Sequence, residues 1–223
     1  SKEEVEIKKR RIEANKGIVK ERISLEQCKK YIEDGADPNA QTGIALTNAV
    51  KEDDYEKTAY LLKVGAAPNI GKSIKEARNL PMIKLLVSNG ADLTGDVFQK
   101  LFTPQQNGKY VKRDPKTGDM IELKGEDIDK AKKETYDAVK YVLDAGMDPN
   151  FEQSIALRKA TSFGDINIVK LLVANGAHIN ARRYMSIRIA CEFGQLEILK
   201  YFMDLIDKSK DPSIRADFDV NTT

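Results

Sequence analysis

A five-residue turn returns along this chain, and it limits the possible folds more than any other feature. It reads Gly35-Ala36-Asp37-Pro38-Asn39, Gly65-Ala66-Ala67-Pro68-Asn69, Gly90-Ala91-Asp92-Leu93-Thr94, Gly146-Met147-Asp148-Pro149-Asn150 and Gly176-Ala177-His178-Ile179-Asn180. Each copy follows an amphipathic run, such as Ile168-Val169-Lys170-Leu171-Leu172-Val173 before Gly176 or Val139-Lys140-Tyr141-Val142-Leu143 before Gly146. The glycine therefore stands where a helix needs a residue free to turn left-handed and stop. The glycines lie 30, 25, 56 and 30 positions apart. That spacing predicts a helical repeat array with a unit near 30 residues, one shortened copy and one copy enlarged by roughly 26 residues.

The best-preserved unit runs Ile155-Ala156-Leu157-Arg158-Lys159-Ala160-Thr161-Ser162-Phe163-Gly164-Asp165-Ile166-Asn167-Ile168-Val169-Lys170-Leu171-Leu172-Val173-Ala174-Asn175-Gly176-Ala177. Its Leu-x-x-Ala, Gly-Asp-x-x-Ile-Val-x-Leu-Leu and Gly-Ala pattern resembles the ankyrin repeat. The same frame fits Leu46, Ala49 and Leu61-Leu62, and again Ile187, Ala190, Gly194, Ile198 and Leu199, so the likeness covers most of residues 24 to 207. The family's Thr-Pro-Leu-His opening is replaced by Thr42-Gly43-Ile44-Ala45-Leu46, Ser154-Ile155-Ala156-Leu157 and Met185-Ser186-Ile187. Short loops are expected here in place of long hairpin fingers. The resemblance implies an all-α, ankyrin-type helical solenoid of about six units and a protein-binding role, as an adaptor or an inhibitor that occludes its target. The short repeats and lysine-rich surface are also similar to ankyrin proteins of viruses and microbes, which implies interception of a host protein.

The expected organisation is one solenoid over residues 1–207, with an N-terminal capping unit at 1–40, a β-hairpin insertion at 103–125 within the fourth repeat, and a C-terminal tail at 208–223. The cap rests on Val5, Ile7, Ile12 and Ala14, whose loose helical spacing carries Lys8-Lys9-Arg10-Arg11 between Glu3, Glu4, Glu6 and Glu13. In the insertion, Lys109–Arg113 and Asp119–Leu123 alternate around Asp114-Pro115-Lys116-Thr117-Gly118, a turn sequence. Helical spacing resumes through Ile128, Ala131, Ala138, Val139 and Val142, predicting a second helix about two turns longer than its siblings. The last helix, Leu196–Ile206, lacks a following glycine; Tyr201, Phe202 and Met203 are expected to need cover, with Ile214 and Phe218 of the tail as candidates.

Chemistry is hard to find. With 37 basic and 35 acidic residues the net charge is +2, far from the one-signed field of a dedicated nucleic-acid binder. No apolar run resembles a signal peptide or reaches the roughly 18 residues of a membrane span. Cys28 and Cys191 are too far apart in sequence for a zinc knuckle, which fits a reducing, cytoplasmic setting, and Cys191 beside Ala190 reads as a small core residue. Gly71-Lys72-Ser73 lacks the glycine spacing of a phosphate-binding loop. His178, the one histidine, replaces the aspartate of sister turns, and Asp37, Asp53, Asp54, Asp92, Asp148 and Asp165 fall at helix boundaries, where carboxylates cap helices. No enzyme, metal or cofactor is expected.

Two surfaces are candidates for contact with another protein. One is a concave edge bearing Arg158, Lys159, Phe163, Arg182, Arg183 and Tyr184, an arginine-aromatic mixture suited to anchoring an interface. The other is the insertion, through Tyr110, Val111, Arg113, Lys116, Met120 and Ile121. The alternative is nucleic-acid binding through Lys8 to Arg11 and Arg182-Arg183. No membrane role is expected, and the chain should be a monomer or weak homo-oligomer.

Overall fold

The recurring turn shapes the backbone as its glycines require. In the computed structural model, Gly35, Gly65, Gly90, Gly146 and Gly176 all have φ between 87° and 99°, the left-handed region where a side chain is penalised. Around each, two backbone bonds close the preceding helix. At the last copy Ala177 N–H donates to Leu172 O (2.9 Å) and Gly176 N–H to Val173 O (2.9 Å), the paired closure that satisfies carbonyls a helix end would leave bare.

The structure describes residues 2–102, 105–106, 109–114, 117 and 119–208. Its internal contacts divide the chain into two units: residues 1–100 with 113–119, and residues 101–112 with 120–223. The first contains α1 (Lys2–Ile18), α2 (Leu25–Glu33), α3 (Ala40–Lys51), α4 (Tyr55–Lys63) and α5 (Leu80–Ser88). Ser24 and Gln27 form a reciprocal capping box at the start of α2, while Asp54 and Asn79 cap α4 and α5 by accepting from Lys57 N–H and Met82 N–H. Before α5 the expected first helix of the repeat is reduced to a 3₁₀ turn, Ser73–Glu76, which accounts for the shortened glycine spacing. A second 3₁₀ turn, Gly95–Gln99, is tied to it by Lys75–Asp96 (2.8 Å). Leu46, Ala49, Leu61, Ile83, Leu86 and Phe98 are among the buried core.

The second unit contains α6 (Glu126–Asp144), α7 (Phe151–Ser162), α8 (Ile166–Ala174), α9 (Ala181–Glu192) and α10 (Leu196–Lys208). At 19 residues, α6 is longer than the nine-residue α8, as the extended helical spacing predicts. Strands β1 (Gln105–Gln106), β2 (Lys109–Arg113) and β3 (Met120–Glu122) form a small sheet in the order β1-β2-β3. Leu157, Ala160, Ile168, Leu172, Ile187, Ala190, Ile198 and Phe202 are buried. The expected need to cover Tyr201, Phe202 and Met203 is largely met within the unit: Phe202 is fully buried and the other two half-buried. Ile214 and Phe218 lie outside the described residues. Cys191 is exposed, contrary to the core reading, because one residue beyond Ala190 is a 100° rotation around the helix.

In place of hairpin fingers, each well-formed first helix begins with three successive left-handed residues: Gln41-Thr42-Gly43, Glu152-Gln153-Ser154 and Arg182-Arg183-Tyr184.

Candidate partner-binding surface

The turns are held in line by asparagine. Asn150 accepts from His178 N–H (2.8 Å) and donates to Gly176 O (2.9 Å), so one side chain joins its own turn to the next. Asn39 makes the same two bonds to Ala67 N–H and Gly65 O, and Asn69 to Asp92 N–H and Gly90 O. At the front, Asn15 on α1 accepts from Asp37 N–H (2.7 Å). His178 contributes its backbone to this ladder; its side chain is exposed.

On that frame the first candidate set separates into two places. α7 and α9 start and end 30 residues apart, so Arg158 on α7 corresponds to Arg188 on α9, and the left-handed turn at 152–154 to the one at 182–184. Arg158 curls over its own turn, donating from Nη2 to Glu152 O (2.9 Å) and from Nε to Gln153 O (3.3 Å). Burial lowers its pKa, the neighbouring Arg182 lowers it further, and Glu152 opposes both. Arg182 and Arg183 are exposed on the next turn, whereas Tyr184 is buried (4% exposed) and serves the core. Lys159 is half-buried. Phe163 caps the far end of α7, about 13.5 Å from the 152–154 turn at 1.5 Å per residue, and faces other neighbours.

Those neighbours come from the second set. The Tyr110 hydroxyl donates to Phe163 O (3.1 Å), the Phe102 and Phe163 rings lie 5.8 Å apart, and Lys132 Nζ sits 5.3 Å from the Tyr110 ring centre. Val111 is buried, so β2 seats the strands on α7 and α6 rather than offering both its apolar residues outward. Met120 and Ile121 on β3 are the exposed pair, at 43% and 42%. The side chain of Arg113 and all of Lys116 lie outside the described residues.

Arg188 escaped the sequence reading. The signal was present in the register itself, since a residue 30 positions after Arg158 occupies the same helical face one repeat on.

No group of three or more potential metal ligands gathers among the described residues, and no helix there is long and apolar enough to cross a membrane. A depression lined by Tyr55, Leu80, Pro81, Lys84, Leu85 and Ser88 in the first unit is open and largely apolar. Asp165 accepts from Asn167 N–H and Ile168 N–H, and Asp37 and Asp148 each accept from the amide two residues on, so these carboxylates act in turns and caps.

No curated protein matches this sequence. The family comparison does find a match, and it falls on the unit that carries Arg158, Arg182, Arg183 and Arg188: residues 129–216 fit the ankyrin-repeat model in three copies, so this stretch carries ankyrin repeats, which are general protein-protein interaction modules.

Proposed function

We propose that the chain is a protein-binding module of about six degenerate units, acting as an adaptor or as an inhibitor that occludes its target. In this reading β1–β3 are an insertion in the fourth unit. The observation that carries it is a set of exposed arginines on one turn and its helix, Arg182, Arg183 and Arg188. Several lysines elsewhere form ion pairs, among them Lys51–Glu21, Lys57–Glu52, Lys75–Asp96 and Lys140–Asp144. Arg182, Arg183 and Arg188 are exposed and form no ion pair among the described residues. Exposed arginine on a rigid repeat edge suits an interface anchor. Met120 and Ile121 supply a second, apolar contact on β3.

Quantitative capture of proteins on the immobilised chain tests this reading. Arg182→Glu/Arg183→Glu and Met120→Ser/Ile121→Ser are both surface changes and should leave the helical signal and melting unchanged. Each is expected to reduce recovery of a specifically captured protein. Unchanged recovery with both would remove these surfaces from the function.

A further inference from the structure

We propose that the edge formed by Arg182, Arg183 and Arg188, adjoining Arg158, takes an acidic segment of a partner protein. The proposal rests on the protein-binding reading above and names the chemistry of the segment bound.

Arg182 and Arg183 are exposed on the 182–184 turn, Arg188 is exposed on the helix that follows it, and Arg158 holds the register position one repeat earlier. Arg158 is fixed by two carbonyls of the 152–154 turn, and Arg188 holds the equivalent place beside the 182–184 turn. Arg182 comes close enough to Arg158 to disfavour its charge, and Glu152 opposes this by a smaller amount, so positive charge predominates beside Arg158. With one exception, Arg10–Asp34, the ion pairs among the described residues use lysine as the cation. The planar fork of arginine can meet a carboxylate with two parallel bonds. Half-buried Met185 and Ile189 flank Arg188 on α9, so a segment that alternates acidic and apolar residues matches this face.

A nucleic-acid strand fits less well. Glu152 lies at the same margin, and exposed Glu192 follows Arg188 by one helical turn, so a continuous phosphate backbone would meet carboxylates along its path. The aromatic residue of the turn, Tyr184, is buried and unable to stack on bases. Discrete carboxylates on a peptide can meet the arginines and avoid both glutamates.

The test uses the full chain and fluorescence anisotropy with three labelled probes: a short peptide alternating glutamate and leucine, its glutamine counterpart, and single-stranded DNA of similar length. The glutamate peptide should bind at least about tenfold more tightly than the glutamine peptide and weaken with salt. Arg182→Glu/Arg183→Glu and Arg188→Glu should each abolish most of that preference, while Lys8→Glu/Lys9→Glu on exposed α1 should leave it intact. Melting curves establish that the variants are folded. Equal binding of the two peptides, or a preference that survives the arginine reversals, overturns the proposal. So does DNA binding that is tighter than peptide binding and is lost with the same variants. If both peptides bind equally and the arginine variants lose both, the edge remains a protein-binding surface and only its acidic preference falls. If neither peptide binds, the acidic preference falls, and the capture experiment decides the broader function independently.

Discussion

The pair α3–α4 in the first unit and the pair α7–α8 in the second have the same bounds shifted by 111 residues, yet they settle one buried position in opposite ways. Leu46, Ala49 and Leu61 correspond to Leu157, Ala160 and Leu172, all buried. Lys57, only 3% exposed, corresponds to Ile168, 1% exposed. The Lys57 amine donates to Ile23 O (2.8 Å) and pairs with Glu52 (2.7 Å) and Asp54 (3.3 Å). In the second unit Phe163 stands where Glu52 stands in the first, so no second carboxylate is available and an isoleucine fills the space. The repeat frame thus accepts a charge that is fully partnered or a hydrocarbon. Where it uses the charge, the polar groups are spent inside the protein.

The most severe way to break this comparison is to move the charge. Ile168→Lys buries an amine with only Asp165 nearby and should cost about 4 kcal/mol or more, enough to unfold the second unit in a chemical denaturation experiment. A cost below that of changing Lys57 would mean that Ile168 is less enclosed than its burial indicates.

Lys57→Ile ranks next. It leaves Ile23 O without its donor and Glu52 with only the Arg22 N–H bond (2.6 Å), and should cost roughly 2–3 kcal/mol. Adding Glu52→Phe recreates the second unit's arrangement and should recover part of the loss. The two single costs should fail to add, because the residues share one interaction. Alkaline titration sharpens the point. Burial opposes the charge on Lys57, but Glu52 and Asp54 outweigh it and the pKa is raised above 10.5. A raised lysine stabilises fully below its unfolded value and loses that contribution as pH rises through the folded value. Burial also raises Cys28 and Tyr60 in the same unit above 9.0 and 10.0, adding to the alkaline loss. The double variant should therefore show a shallower fall in stability above about pH 10 than the parent.

Asparagine tests what the two units share. Asn39→Ala and Asn150→Ala each remove a donor and an acceptor that bridge successive turns, and each should cost about 1–2 kcal/mol. Similar costs in thermal or denaturant melts would show that the ladder is a common device. A negligible cost at either site would mean that water replaces the bridge there.

The turns, the long α6 and the capping aspartates were legible in the sequence because each depends on local chemistry: a glycine at positive φ, a periodic apolar face, a carboxylate before a helix. The Asn ladder was half legible. Its residue recurs in the turn, but the bonded partner lies one repeat away, and Asn15 performs the same task from a helix. The candidate surfaces were the least legible. Tyr184 and Val111 read as contact residues but are buried, and Phe163 and Tyr110, placed in separate sets, meet each other. Such meetings depend on how the segment bearing β1–β3 lies on the helices, which periodicity does not encode.

The smallest effect is expected at the turn between the paired helices. Asp53 and Gly164 correspond, and both have positive φ, 58° and 70°. Asp53→Gly should relieve left-handed strain and lose one bond from Asn79 (2.7 Å), for a net gain of about 0.5 kcal/mol. The reverse change, Gly164→Asp, should destabilise, because a Cβ there would lie 2.5 Å from the Gln195 side-chain oxygen as well as in a strained backbone. Acid separates strain from charge. Burial raises the Asp53 pKa above 3.8, with the Asn79 bond opposing, so the charged carboxylate is penalised in the folded state. That penalty is present at neutral pH and disappears as pH falls through the folded value. The gain from Asp53→Gly should accordingly shrink on acidification, leaving only the strain relieved less the bond lost. A gain that grows instead would show that the carboxylate stabilises the turn, and that this position, like Lys57, is one where the first unit has put a charged side chain to internal use.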